Sequence, residues 1–365
     1  MLNLKIKNTL RLIIALILAL KPRKKLNNKF SLYCNLIAKN KVGGPDRFLK
    51  TILSNSSVTD KIEVSNWNLK NCKTALVFSA SWGNSFALLA KLFKVKTVLR
   101  VDGFYVPEDT IDEEYQHTKS YRNSINEQLK FDLQNFDHII YQSHFSKSIC
   151  DKHLFKRQDN FSIIMNGTNT AHFKPIPFVK NKKIKLLILG KHYPKHLSLA
   201  VKILKVVLQK NDAELNIIGP MRDGRDIVRD FIQNMKIEEK IRSKIKCHGI
   251  VYYNELAQKI QSCDILLHVK IGDWCPNAAI EAMACGLPVV TPAWGGTKEL
   301  VGDSGIAIEG PEWDYDNDFV NNMANAILKI YNDLETYRAK ARERVEDNFD
   351  IKDISKKYLN VLEIH

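Results

Sequence analysis

The residues with the most chemistry in them lie at 273–302, which read DWCPNAAIEAMACGLPVVTPAWGGTKELVG. Two acids, Asp273 and Glu281, stand eight positions apart around the expected start of a helix. Pro276 suits the first turn of that helix, where its missing N–H costs nothing. Gly286 suits the left-handed residue that ends it. Ala278, Ala279, Ala282 and Ala284 are small enough for neighbouring backbone to approach. A helix mouth presents free N–H groups and a partial positive charge, which makes it a ready anion site. Glu281, about one turn in, can accept hydrogen bonds from a pair of sugar hydroxyls, and Asp273 in the preceding loop can grip a second part of an extended ligand. Pro288–Thr291 then reads as a buried strand, Gly295-Gly296 as a turn and Thr297–Val301 as a further helix. A generic strand–helix–strand unit also carries acids near its helices, so capping and periodicity by themselves leave ordinary packing open.

Such residues need a rigid scaffold, and the 365-residue chain is long enough for two domains with cores of their own. Short apolar runs predict strands at Phe30–Cys34, Ala75–Phe78, Thr97–Val101, His138–Tyr141 and Ser162–Met165. A second series follows at Lys185–Leu189, Glu214–Ile218, Lys246–His248, Ile265–Val269, Pro288–Thr291 and Ile306–Ile308. Helical patterns such as Leu197–Leu208 and Asp226–Met235 lie between them. This alternation predicts parallel sheets covered on both faces. Eleven strands exceed one compact doubly wound unit, so two sheets are expected, joined near Phe173–Val179, where Lys174-Pro175-Ile176-Pro177 interrupts secondary structure. Glu335–Ile364 is charged, contains no strand pattern and predicts one or two closing helices.

The net charge is +15, and Lys5, Lys7, Arg11, Lys21, Arg23, Lys24, Lys25 and Lys29 carry eight of it with no acid among residues 1–29. No helix-turn-helix, zinc-finger or aromatic RNA-binding signature accompanies the charge, so nucleic acid is not an expected partner. Leu12–Leu20 is an unbroken apolar run between Arg11 and Lys21, too short for a bilayer, which needs about twenty residues. Lys-Pro-Arg-Lys-Lys follows it where a signal peptide would need small residues. A helix lying on an anionic membrane surface fits this pattern, with a helix packed on the protein itself as the alternative. Seven scattered cysteines with no C-x-x-C support neither a zinc site nor a disulfide framework, and reduced cytoplasmic thiols are expected.

At residues 273–302 the sequence resembles glycosyltransferase family 4, of the GT-B fold. The family pattern is an E-x7-E motif running into a G-x-P-V-V strand and a G-G-x-x-E turn. Glu281 matches the second acid, Gly286–Val290 the strand, and Gly295, Gly296 and Glu299 the turn. Asp273 stands where the first Glu would be, one methylene shorter, and D-x-C-P-N resembles a branch acting on polysaccharides and surface glycans. Val42-Gly43-Gly44-Pro45, Gln142-Ser143 with Phe145-Ser146-Lys147, and Met165-Asn166-Gly167 with Phe173-Lys174-Pro175 resemble other family pieces in the same order. The resemblance runs from about residue 30 onward. It implies two Rossmann-like α/β domains facing a central cleft: a basic, apolar segment at 1–29, an acceptor domain at 30–175, a nucleotide-sugar domain at 176–340 and a closing helix at 341–365.

The resemblance also implies roles. Glu281 would hold the ribose hydroxyls and Asp273 those of the donor sugar. Trp274, Cys275, Pro276 and Asn277 would line the sugar and phosphate pocket, and Gly249, Ile250 and Val251 the base pocket. A basic pair, usually Arg and Lys in G-R-x-x-x-x-K, would clamp the diphosphate. Here Lys191 replaces the Arg, His196 occupies the strict Lys register and Lys195 stands one residue early, so Lys191 and Lys195 are expected to do it. Gly43 and Gly44 would let backbone approach from the acceptor side. Asp102, at a strand end beside Arg100, is a candidate to orient or deprotonate the acceptor hydroxyl, with an Arg100–Asp102 structural pair as the alternative. His268 reads as a core or capping histidine. Metal ligands are not evident, and no cofactor is expected beyond the UDP- or GDP-linked substrate. The implied activity is metal-independent retaining transfer of a hexose-type sugar to a glycan or lipid-linked acceptor; the expected location is the cytoplasm, and the cytoplasmic face of the membrane should residues 1–29 lie on it. The rival readings are a nucleotide-sugar-binding subunit without catalysis and a GT-B nucleotide-sugar epimerase. An NAD-dependent oxidoreductase is disfavoured because no G-x-G-x-x-G follows the first strand.

Overall fold

The computed structural model describes residues 30–35, 52, 62–65, 69–79, 84–108, 118–180, 182–221 and 224–364. The basic segment 1–29 and the loop with Gly43 and Gly44 lie outside the described residues. The described residues form two compact units, one from 30–106, 118–165 and 351–364, the other from 107–108 and 166–350.

The first unit contains β1 (Phe30–Cys34), β2 (Ile62–Ser65), β3 (Thr74–Phe78), β4 (Lys96–Val101), β5 (His138–Tyr141) and β6 (Phe161–Ile163), all parallel, in the order β2-β1-β3-β4-β5-β6. Helices α1 (Asn84–Leu92), α2 (Lys119–Asn135) and α3 (His144–His153) connect successive strands. Every residue of β3 is buried, as expected of a parallel strand covered on both faces. Helix α3 begins with a reciprocal cap: Ser143 Oγ accepts from the Ser146 N–H at 3.0 Å and Ser146 Oγ from the Ser143 N–H at 3.1 Å.

The second unit repeats the plan with β7 (Ile184–Leu189), β8 (Ala213–Ile218), β9 (Ile245–Cys247), β10 (Ile265–Leu267), β11 (Val289–Pro292) and β12 (Ile306–Ile308), again all parallel, in the order β12-β11-β10-β7-β8-β9. Its helices are α4 (Pro194–Val207), α5 (Val228–Asn234), α6 (Glu239–Arg242), α7 (Tyr253–Gln261), α8 (Asn277–Ala284), α9 (Thr297–Val301), α10 (Asn317–Asn332) and α11 (Leu334–Asn348). Leu197, Ala200, Val201 and Leu204 recur on one face of α4 and share a core with Met323 and Ile327 of α10 and with Leu186 and Leu215 of the sheet.

The sequence puts the change of domain at 175/176, in the proline-rich stretch. The compact units change at Met165–Asn166 instead, because Asn166 is already tied into the second unit: its side-chain amide donates to the Cys275 carbonyl at 2.8 Å. The last helix, α12 (Ile351–Leu362), returns to the first unit. Its Ile354, Tyr358 and Leu362 join the core of Leu32, Leu76, Val98 and Ile140. Thr74 Oγ1 donates to the Leu362 carbonyl at 3.3 Å and Arg100 Nε to Tyr358 Oη at 3.0 Å.

Candidate functional site

In the second unit β7 has β8 on one side and β10 on the other. The chain runs outward through β8 and β9, then returns to β10 and continues the other way. Connections that diverge from adjacent strands open a crevice at their carboxyl ends, where open α/β sheets take ligands. Here the flanking segments are Gly190–Tyr193 after β7, entering α4, and His268–Pro276 after β10, entering α8.

The β7 side is pinned to its neighbour. Gly219 (φ +117) lies so close to Gly190 that an added Cβ would sit 1.9 Å from the Gly190 carbonyl oxygen. His192 is buried and its Nε2–H donates to the Ile218 carbonyl at 2.9 Å, which fixes that tautomer. Burial pushes its pKa down to about 4, partly offset by that hydrogen bond. His196, at the third position of α4, is 5% exposed, and its Nε2 has no hydrogen-bond partner. Burial, then the charges of Lys270, His268 and His192, push its pKa down to about 3 against the opposing pull of Asp273. Lys191 is exposed. Lys195 is engaged elsewhere, 2.7 Å from Asp314 and with its ammonium 5.7 Å from the centre of the Tyr315 ring.

On the β10 side Asp273 is the centre. Its Oδ1 accepts from the Trp274 N–H at 2.8 Å, while its Oδ2 lies 3.2 Å from Lys270 Nζ and 3.4 Å from His268 Nε2. Burial would raise this carboxyl, but the Lys270 charge and the neighbouring His268 outweigh it and hold it well below the usual carboxylate range. The backbone of Asp273 is clamped by the glycine pair: the Gly296 N–H donates to its carbonyl at 2.7 Å. Gly295 (φ +144) packs so closely that a Cβ would lie 3.1 Å from the Asp273 nitrogen and oxygen. Helix α8 follows with Pro276 as its cap, and Gly286 (φ +79) ends it in the left-handed conformation. Glu281, one turn in, is 4% exposed. Asn277 Oδ1 and, at the start of α9, Thr297 Oγ1 are buried without a hydrogen-bond partner. Cys275 is a buried thiol whose Sγ accepts the Asn166 N–H at 3.2 Å, so it ties the loop to the entry of the unit. After β9, the Gly249 carbonyl accepts from the Gly219 N–H at 2.8 Å, Val251 is half-buried and Ile250 is 38% exposed.

In the first unit Asp102 follows β4 and is held from three sides. Arg100 Nη1 forms an ion pair with its Oδ1, Gln142 Nε2 donates to the same oxygen at 3.1 Å, and Ser79 Oγ donates to Oδ2 at 3.1 Å. Ser79 adopts the left-handed backbone (φ 66), which costs a non-glycine residue about 1–3 kcal/mol. The Arg100–Asp102 pair is therefore a formed structural feature at this strand end.

The structure thus gathers Asp273, Trp274 and the mouth of α8 with His196, which occupies the register of the expected second cation. Lys195 faces Asp314 instead. Lys270 escaped the reading of the sequence because a lone Lys after a strand has no motif, and His268, read as core, is buried but also touches Asp273. Among the described residues no group of three or more His, Cys, Asp or Glu could hold a metal ion, and no helix is long and apolar enough to cross a membrane.

Residues 183–333 match the model of the family described as glycosyl transferases group 1. The phosphatidylinositol N-acetylglucosaminyltransferase GPI3 subunit of Saccharomyces cerevisiae is 27% identical over 186 residues, 48% of this chain and 40% of that protein, so the match spans less than half of that relative. Sucrose-phosphate synthase of Thermosynechococcus elongatus superposes with a TM-score of 0.72 at 16% identity, over 92% of this chain and 98% of the other. Anabaena HepE in complex with UDP and glucose gives 0.68 at 14% identity, over 92% and 99%. These likenesses show the two-domain Rossmann-like fold of the GT-B glycosyltransferases, and within it residues 183–333 match the glycosyl transferases group 1 model.

Proposed function

We propose that the protein transfers a hexose-type sugar, with retention, from a UDP- or GDP-sugar to a glycan or lipid-linked acceptor. The observation that carries this reading is the corner between β7 and β10, where Lys270 and His268 surround Asp273 in the loop before a helix that carries the buried Glu281 one turn in. In this reading Glu281 accepts from the ribose hydroxyls, and Asp273, oriented by His268 and Lys270, presents its remaining lone pairs to the sugar. Ile250, Val251 and Gly249 flank the base. The leaving diphosphate is met by the N–H groups of α8, by Lys191 and by Lys270, so that charge developing on it as the glycosidic bond breaks finds preorganised donors. The acceptor attacks from the face the diphosphate leaves, and the protein's part is placement and charge stabilisation. Asp102, whose oxygens already accept from Arg100, Gln142 and Ser79, serves on the acceptor side as a positioning group. The likeness to a phosphatidylinositol N-acetylglucosaminyltransferase subunit supports a lipid-linked acceptor, and that to a UDP–glucose complex supports a UDP-hexose.

A second reading, a subunit that binds nucleotide sugar without transferring it, is favoured by the engagement of both Asp273 oxygens. Thermal unfolding with a panel of UDP- and GDP-sugars tests the first step, because a ligand stabilises only if it binds the folded form. A stabilising sugar nucleotide that loses its effect in Glu281→Ala identifies donor and pocket together, and product formation on a lipid acceptor then separates transferase from binding subunit. If no member of the panel stabilises the wild type, the reading fails.

A further inference from the structure

The most exposed large apolar side chains described in the first unit are Leu88 at 63% and Leu92 at 62%, both on α1. They stand four positions apart and so share one stripe of the helix. The packed side is already filled by Phe86, Leu89, Ala90 and Phe93, which recur at i, i+3, i+4 and i+7 and are buried. The core therefore makes no use of the two leucines. Lys91 and Lys94 flank them and are exposed. From Val64 to Val101 the chain carries five lysines and one arginine, and no acid. Helix α1 ends in a Schellman turn: the Val95 N–H donates to the Ala90 carbonyl at 2.8 Å and the Lys94 N–H to the Lys91 carbonyl at 3.1 Å. Lys94 takes the left-handed position of that turn (φ 53), which glycine fills without strain. An exposed lysine held there keeps a charge beside Leu92 where the backbone favours glycine.

The N-terminal segment joins the sheet at this same end. The Lys73 N–H donates to the Ser31 carbonyl and the Lys96 N–H to the Lys73 carbonyl, each at 3.0 Å, so the turn that leaves α1 lies at the end where Phe30 opens β1. Residues 1–29, with eight positive charges, no acid and the apolar run Leu12–Leu20, precede Phe30. Glu363, also at this end, is paired with Lys96 at 2.7 Å. We propose that Leu88, Lys91, Leu92 and Lys94 form a corner of the first unit that rests on an anionic lipid surface. The leucines enter the boundary of the acyl chains and the ammoniums meet the headgroups. Lysine is depleted from protein–protein interfaces, whereas its long flexible stem suits a fluid layer of anionic headgroups. Stable attachment to a membrane takes two signals, and this corner supplies a second one beside the basic segment. It also sets the orientation of the first unit, which a tether alone leaves free. The inference concerns where this unit sits and holds whichever sugar is transferred.

Co-sedimentation of the full chain with vesicles of phosphatidylcholine, alone or mixed with phosphatidylglycerol, tests this. The wild type should bind the mixed vesicles and lose most of that binding at high salt. Leu88→Ser with Leu92→Ser, and separately Lys91→Glu with Lys94→Glu, should each lower partitioning onto the mixed vesicles by about tenfold or more. Lys94→Gly relaxes the turn, so it should unfold no earlier than the wild type and still partition about fivefold more weakly, which separates loss of the surface from loss of the fold. Leu92→Trp should be quenched by lipids with brominated acyl chains beyond the quenching of the five native tryptophans. Wild-type binding that all of the Leu→Ser and Lys→Glu variants retain assigns attachment to residues 1–29 alone and overturns the proposal. So does a Leu92→Trp that shows no added quenching, or a wild type that binds neither kind of vesicle. Thermal stabilisation by a sugar nucleotide should be the same in these variants as in the wild type, so a failure on vesicles leaves the donor site standing.

Discussion

His268 Nε2 lies 3.4 Å from Oδ2 of Asp273, the same oxygen that Lys270 reaches at 3.2 Å. One carboxylate oxygen therefore faces two basic side chains, while the other is taken by the Trp274 N–H at 2.8 Å. This arrangement fixes the direction of the remaining lone pairs, and direction is what a sugar-hydroxyl acceptor needs.

Lys270→Met removes the larger of the two charges that hold Asp273 below the usual carboxylate range. A carboxyl whose folded pKa is depressed contributes stability above its unfolded value, near 3.9, and loses it as pH falls through the lower folded value. The variant should be less stable than the wild type near pH 5 and lose less stability between about pH 4 and 2, so that the two curves converge on acidification, and its apparent KM for the donor should rise by roughly tenfold or more. Urea unfolding between pH 5 and 2, with donor titrations at pH 7, checks both.

His192 carries a pKa pushed down to about 4 by burial, against an unfolded value near 6.5. Above about pH 6.5 both states are neutral. Between there and about 4 the unfolded chain binds a proton that the folded site refuses, so stability falls with pH by up to about 1.4 kcal/mol per unit. His192→Gln, which can still donate to the Ile218 carbonyl, should flatten that slope. Denaturant midpoints at pH 7, 6 and 5 decide it.

Arg100 is 1% exposed and bonded to both Asp102 and Tyr358. Arg100→Leu leaves a buried carboxylate without its cation and should cost about 3–5 kcal/mol. Tyr358→Phe removes one hydrogen bond and should cost about 1 kcal/mol. Equilibrium unfolding of both variants tests whether the helix and the strand end share one network, and equal costs would refute the ranking.

Gly295→Ala places a Cβ 3.1 Å from the Asp273 backbone at φ +144. The strain should exceed about 1 kcal/mol and push the Asp273 loop out of register with α8. Donor affinity should therefore drop further than in a variant of equal thermal stability altered far from this loop, which a binding titration on the matched pair measures.

Much of this was legible in the sequence. All eleven apolar runs fall on strands, since parallel strands buried on both faces need continuous apolar stretches. Strand β2 escaped because Ile62-Glu63-Val64 alternates, with Glu63 exposed at the edge of the sheet. The α8 segment was readable to within a residue from Pro276 and Gly286, residues whose backbone restrictions are local. The partners of Asp273 were not readable. Lys270 and His268 reach it through the packing of a loop, and Lys195 and His196, adjacent in sequence, diverge because successive helix positions point about 100° apart.

The return of α12 to the first unit has a consequence for synthesis. Arg100 is threaded early, yet its partner Tyr358 is made after the whole second unit has been translated. On the ribosome the first sheet must wait, with Arg100 Nε lacking its Tyr358 hydrogen bond and the Leu32–Ile140 core uncovered, until residues 351–362 have been made. A gene fragment cut at Met165–Asn166 would share that plight permanently, and supplying residues 351–365 in trans should relieve it.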